Sequence, residues 1–131
     1  MIGLDTNVLV RYLTQDDPDQ ARVATTMMAQ LSATDPGFVS REVMVELVWV
    51  LQRAYGLSRG QIAQTVISLL EAEDLLIEAP DRVGAAAVAY AKGGCGFADQ
   101  MIRLASVAAG ASVLVAFDTA AAAQSGVRLL V

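Results

Sequence analysis

The chain has 131 residues, 55% hydrophobic and 18% charged, with one cysteine, no histidine and a formal net charge of −5. That balance predicts one globular domain over residues 1–131 and excludes a disordered chain. Without histidine there can be no Ser-His-Asp triad, no imidazole acid–base pair and no histidine zinc site, and the lone Cys95 can form neither an internal disulfide nor a thiolate cluster. No apolar run approaches the roughly 18 residues that signal a membrane span. Asp5 and Asn7 interrupt the N-terminal apolar stretch, so no secretory leader is expected either, and a reducing cytoplasm is the expected setting. An excess of acids also repels polyanions, because nucleic-acid affinity normally rests on Lys and Arg. If the chain acts on nucleic acid, a bound cation or a basic partner must supply the attraction.

In chain order, Met1 to Leu4 is a short apolar run ending in Asp-Thr-Asn, which predicts a strand followed by a helix. Asp17-Pro18 supplies a cap and a first-turn proline for a helix running to about Leu31. Pro36-Gly37 punctuates the chain before a strand at Phe38-Val39, and Ser40 caps a helix that stops near Gly56. Ser58 caps the next helix, Leu75 to Ile77 reads as a strand, and Asp81 to Lys92 as a helix broken by Gly93-Gly94-Cys95-Gly96. A helix from Phe97 to Ala109, a β-branched strand from Ser112 to Phe117, a short helix after Asp118 and an edge strand over Val127 to Val131 complete the order. Alternating strands and helices of this kind predict an α/β fold, with a mainly parallel sheet of about four to five short strands covered by helices on both faces.

Four acids carry the chemical information. Asp5 and Asp118 fall at the carboxyl ends of strands, the edge where open α/β sheets bind ligands. Glu46 sits in Val43-Met44-Val45-Glu46-Leu47-Val48-Trp49-Val50, where burial of a lone carboxylate would cost several kcal/mol. Asp99 opens a helix behind a glycine loop. Each acid also has a structural explanation: helix capping or macrodipole stabilisation for Asp5, Asp99 and Asp118, and for Glu46 an ion pair with Arg11, Arg53 or Arg103. One cation-binding cluster explains all four together. Carboxylates without His or Cys are hard oxygen ligands suited to Mg²⁺ or Mn²⁺, and such a site fits phosphodiester hydrolysis.

Met1-Ile2-Gly3-Leu4-Asp5-Thr6-Asn7-Val8-Leu9-Val10-Arg11-Tyr12-Leu13, with Asp16-Asp17-Pro18 and Gln20-Ala21 behind it, resembles the first motif of the PIN-domain nucleases, and in particular of the VapC-like toxins of type II toxin–antitoxin pairs. Val39-Ser40 through Glu46-Leu47 is similar to the second motif, Gly96-Phe97-Ala98-Asp99-Gln100-Met101-Ile102 to the third, and Ala116-Phe117-Asp118 to the fourth. The resemblance runs through essentially the whole chain. It implies a PIN-like three-layer α/β/α fold and a Mg²⁺- or Mn²⁺-dependent ribonuclease, with an RNA substrate, a cognate antitoxin and a homodimer. By the same resemblance the catalytic residues are Asp5, Glu46, Asp99 and Asp118. Asp5, Asp99 and Asp118 hold metal, Glu46 orients the attacking water, and Thr6, Asn7 and Ser40 support the acids by hydrogen bonding. Ser40 is equally explained as a helix cap and Asn7 as a turn residue. Two departures stand near Asp118. Ala116 replaces a small hydroxyl residue, and Thr119-Ala120-Ala121-Ala122-Ala123 replaces basic residues.

Rival readings fit less well. An aspartyl-phosphate phosphohydrolase or receiver domain needs a second acid where Asn7 stands and a late lysine, whereas the only lysine, Lys92, precedes the glycine loop. An RNA-processing PIN nuclease without an antitoxin and a non-catalytic PIN-like binding module are the alternatives within the family. For the apolar helix residues Val48, Trp49, Ala85 to Ala87 and Val88, core is the expectation ahead of a dimer surface. Tyr12, Tyr55 and Tyr90 are expected at the edges of the core.

Overall fold

The computed structural model describes all 131 residues. Its strands and helices alternate as β1 (Ile2–Gly3), α1 (Thr6–Thr14), α2 (Pro18–Ala29), β2 (Gly37–Val39), α3 (Arg41–Arg53), α4 (Arg59–Glu71), β3 (Leu75–Ile77), α5 (Pro80–Ala91), α6 (Phe97–Ala108), β4 (Leu114–Ala116), α7 (Thr119–Ala122) and β5 (Val127–Leu129). Local chemistry sets most of these boundaries. Side-chain oxygens of Asp17, Ser40, Ser58 and Asp118 accept from backbone amides and open α2, α3, α4 and α7. Ser58 does so within a reciprocal capping box, in which the Gln61 side chain accepts from the Ser58 amide. Gly56, at φ +62°, follows the end of α3.

Every strand pairing is parallel, as the alternation of elements predicts. The strands divide into two groups, however: β1, β2 and β3 form one sheet in that order, and β4 pairs only with β5. Chain order alone does not reveal that break. The helices cover the sheets, in agreement with the three-layer α/β/α arrangement. α1 packs on α2 and α3, α4 on α5, and α5 on α6. Their inward faces meet in one core that includes Leu9, Met44, Leu47, Leu51, Ile62, Val66 and Val83, all fully enclosed. Each such side chain contributes about 1.5–3 kcal/mol through removal from water.

A polar clasp fixes α1 to its neighbours. The Arg11 guanidinium donates to Asp16, Gln20 and the Tyr55 hydroxyl, and the Tyr55 hydroxyl and Thr14 both donate to the Asp16 carboxylate. The hydrogen bonds from Tyr55 and Thr14, joined by the Arg11 charge, hold Asp16 down at about 2, against an ordinary value of 3.8. A depressed carboxylate stabilises the fold above its unfolded value, and that contribution is lost as pH falls through the folded value. Asp16→Asn is therefore expected to lower stability near neutral pH, with a deficit that shrinks as pH falls from 3.8 to about 2. Urea midpoints of both chains across that window check the expectation, and a deficit independent of pH would contradict it.

Candidate active site

Two backbone hydrogen bonds, Leu4 N–H to Phe38 O and Glu78 N–H to Val39 O (both 2.9 Å), carry the parallel ladder past its last paired residues. Counting on from Gly3, Phe38 and Leu76, which share one register, Asp5, Ser40 and Glu78 fall in a row at the carboxyl edge. Asp5 heads α1 in extended conformation, but its side chain caps no amide. It is exposed and holds no ion pair, so nothing in the fold occupies its carboxylate. Thr6 follows it into the core with its Oγ1 buried and without a partner, so the support by hydrogen bonding expected of Thr6 is not made within the chain. Asn7 is exposed and its side chain makes no hydrogen bond. Ser40 is a helix cap, its Oγ accepting from Val43 N–H at 3.1 Å.

Glu78 belongs to this row and escaped the sequence reading, although Leu75-Leu76-Ile77-Glu78 carries the same signal as Asp118, an acid directly behind a strand. Its carboxylate accepts from the Arg41 amide at 2.9 Å and faces the Arg41 guanidinium at 3.2 Å. That amide bond, aided by the guanidinium charge, holds Glu78 below the usual carboxylate range. Glu78 therefore serves the start of α3, whereas Asp5 serves no neighbour.

Glu46 corrects an expectation. The apolar run around it places it inside, yet the structure exposes it, and it pairs with none of Arg11, Arg53 and Arg103. Met44, Leu47, Val48 and Leu51 form the buried face of α3, while Glu42, Glu46, Trp49 and Arg53 face outward. Apolar residues lie on both faces, and that hid the outward one. Trp49 is 58% exposed with the Arg53 guanidinium over its ring, and Ala85 and Val88 are also exposed, so the core expectation fails for these three and holds for Val48, Ala86 and Ala87. Glu46 and Trp49 line a groove of about 710 Å³ between α3 and α6, floored by Val48, Phe97 and Met101. Tyr55 packs half-buried against the core with its hydroxyl bound to Asp16, and Tyr90 is enclosed in the core.

Asp99 and Asp118 both do the helix-terminal work that their positions allow. One Asp99 oxygen accepts from Gly96 N–H at 3.3 Å, and Asp118 accepts from Ala121 N–H at 3.1 Å. Such bonds leave other lone pairs of each carboxylate free. Beneath Asp99, fully buried Gln100 donates to Cys95 Sγ and to Gln124 and accepts from Arg103, which ties α6 to the loop before it and to the segment after α7. Cys95 is a buried packing residue, and burial, with the nearby Asp99 charge, pushes its thiol up.

The four acids do not close into one cluster. No group of three or more acids or cysteines stands close enough to hold an ion. Each is carried by a different element: Asp5 follows β1 of the three-stranded sheet, Asp118 follows β4 of the two-stranded sheet, Glu46 lies in α3 and Asp99 in α6. In kind, the donors nonetheless suit a hard divalent cation. They are oxygens throughout, with a free carboxylate at Asp5, a half-engaged one at Asp99 and an orphaned buried hydroxyl at Thr6. Mg²⁺ commonly takes only one or two carboxylates and fills its shell with water and phosphate oxygens.

These features define a three-layer α/β domain with parallel strands and carboxylates at their carboxyl edge. A model of the PIN domain matches residues 2–126, and the chain belongs to that family, whose members are in general metal-dependent nucleases. A search of curated proteins found no match. No helix is long and apolar enough to cross a membrane.

Proposed function

We propose that this chain is a metal-dependent endoribonuclease hydrolysing RNA phosphodiester bonds, and that it is the VapC-like toxin of a type II toxin–antitoxin pair. The observation that carries the reading is Asp5, an acid at the carboxyl edge of a PIN-domain sheet that heads a helix without capping it. Asp5 and Asp99 are the proposed ligands of Mg²⁺ or Mn²⁺, with Asp118 completing the acidic pocket. When bound, the cation supplies Lewis-acid stabilisation of charge on the phosphodiester oxygens. Glu46, exposed in the groove beside α6, orients the attacking water and takes its proton as general base. Thr6 lies directly behind Asp5 with a buried hydroxyl that no group of the chain occupies.

A net charge of −5 predicts weak attraction for RNA, which leaves the bound cation to supply it. A homodimer is the proposed assembly, as a second protomer would widen the binding surface. Exposed Trp49 and Ile102 in the α3–α6 groove offer apolar area for a protein partner. An antitoxin that places a basic side chain among the acids would compete with the cation and silence the enzyme. The proposed setting is the cytoplasm.

The test is cleavage of unstructured and looped RNA by the purified chain in Mg²⁺, Mn²⁺ or EDTA. Cleavage that requires the cation is expected, and cleavage undiminished by EDTA would overturn the reading. The lack of a preformed group of three acids favours a second reading, a non-catalytic PIN-fold binding module. Binding of Mn²⁺ and RNA without cleavage would select it.

A further inference from the structure

The loop Gly93-Gly94-Cys95-Gly96 joins α5 to the helix that carries Asp99. Gly93 and Gly94 sit at φ +99° and +88°, conformations that a side chain would strain. A loop of this composition has little to fix its path, yet one side chain from another part of the chain does so. Arg59, in the first turn of α4, donates through Nη1 to the carbonyls of Tyr90 (2.9 Å) and Cys95 (3.0 Å) and through Nη2 to that of Gly94 (2.8 Å). Its guanidinium also lies over the Tyr90 ring, 4.5 Å from the centroid. No carboxylate pairs with it, and its side-chain hydrogen bonds all go to the end of α5 and to this loop.

One of those contacts reaches the candidate site through a single peptide group. The Cys95 carbonyl that accepts from Arg59 belongs to the same plane as the Gly96 N–H that donates to the Asp99 carboxylate at 3.3 Å. A cationic donor on the carbonyl both fixes the plane and polarises its N–H, which strengthens the bond at the other end. We propose that Arg59 is a positioning residue for Asp99. Through the Cys95–Gly96 peptide it sets the direction in which the carboxylate presents its free oxygen to a divalent cation. Lysine at position 59 would keep the charge, but it lacks the planar fork that spans three carbonyls. Arg59 touches neither the cation nor the substrate in this account.

The inference rests on the reading of Asp99 as a ligand, and its test separates the two. Mn²⁺ titrations of wild type, Arg59→Lys, Arg59→Ala and Asp99→Asn would be read by water-proton relaxation, with the Gly96 amide followed by hydrogen exchange. Faster exchange at Gly96 and Mn²⁺ binding weakened about tenfold in Arg59→Lys are expected, the size typical of residues that orient a ligand. A purely structural Arg59 would lower the melting temperature and leave the Mn²⁺ affinity of the folded chain unchanged. Wild-type affinity in a folded Arg59→Lys, with Asp99→Asn weakened, would overturn the positioning role alone. Wild-type affinity in Asp99→Asn would overturn the ligand assignment, and the positioning role with it. If Arg59→Ala does not fold, Arg59→Lys decides.

Discussion

Asp5→Asn is expected to lower cation-dependent RNA cleavage about a hundredfold or more while leaving the melting temperature where it was. The two halves of that expectation have separate causes. Asparagine keeps the size and one oxygen of the side chain but removes the charge that a hard cation needs, and each tenfold in rate corresponds to about 1.4 kcal/mol of lost stabilisation. Stability is spared because the Asp5 carboxylate caps no amide, pairs with no cation and is exposed. Activity within a factor of two or so of wild type would remove Asp5 from the ligand set. A fall in melting temperature parallel to the loss of activity would assign Asp5 a structural role that its geometry does not show.

Leu47→Ala is expected to cost about 2–5 kcal/mol of folding stability. Leu47 is fully enclosed on the inner face of α3, in the core shared with Leu9, Met44 and Ile62. Removing its branched end takes away transfer energy and leaves a cavity that the short strands and packed helices cannot fill by collapse. Single domains are held by only about 5–15 kcal/mol, so this is a large fraction of the whole. Urea unfolding measures it, and a loss under about 1 kcal/mol would show that the site repacks. The accompanying loss of activity has a signature opposite to that of Asp5→Asn: it should return on cooling or in stabilising salts, since the acids remain.

Helix starts were the most legible part of the fold, because Asp17, Ser40, Ser58 and Asp118 carry their capping chemistry in the side chain and need only neighbouring amides. Leu75 to Ile77 is likewise a strand with the bounds that its apolar run gives it. Facing was less legible. Valines and Trp49 lie on both sides of α3, so hydrophobicity alone could not tell that Glu46 looks outward, and Leu47 and Val48 beside it hid the exposed stripe. Burial was therefore the wrong reason to single out Glu46; its place in the groove beside α6 is the better one.

Arg59 and Glu78 were missed for a different reason. Their partners lie some 31 to 37 residues away along the chain, and no local pattern announces which carbonyl or amide a side chain will reach across a fold, although the place of Glu78 directly behind a strand was itself legible. The separation of β4 and β5 from the other strands is equally non-local, since it depends on which free edges meet and not on the composition of any segment. Among the acids themselves, the capping roles offered as alternatives turned out to be real for Asp99 and Asp118 and not for Asp5. Capping and coordination are compatible, because a carboxylate has lone pairs for both.

Whether Asp5 and Asp99 share one cation is the question on which the rest depends. Mn²⁺ affinity measured for wild type, Asp5→Asn, Asp99→Asn and the double variant answers it most directly. A shared ion predicts that each single change removes most of the binding and that the second adds much less than the first, because ligands of one ion act as a unit. Independent, additive losses, or an Asp99→Asn chain that binds Mn²⁺ as wild type does, would contradict a common site.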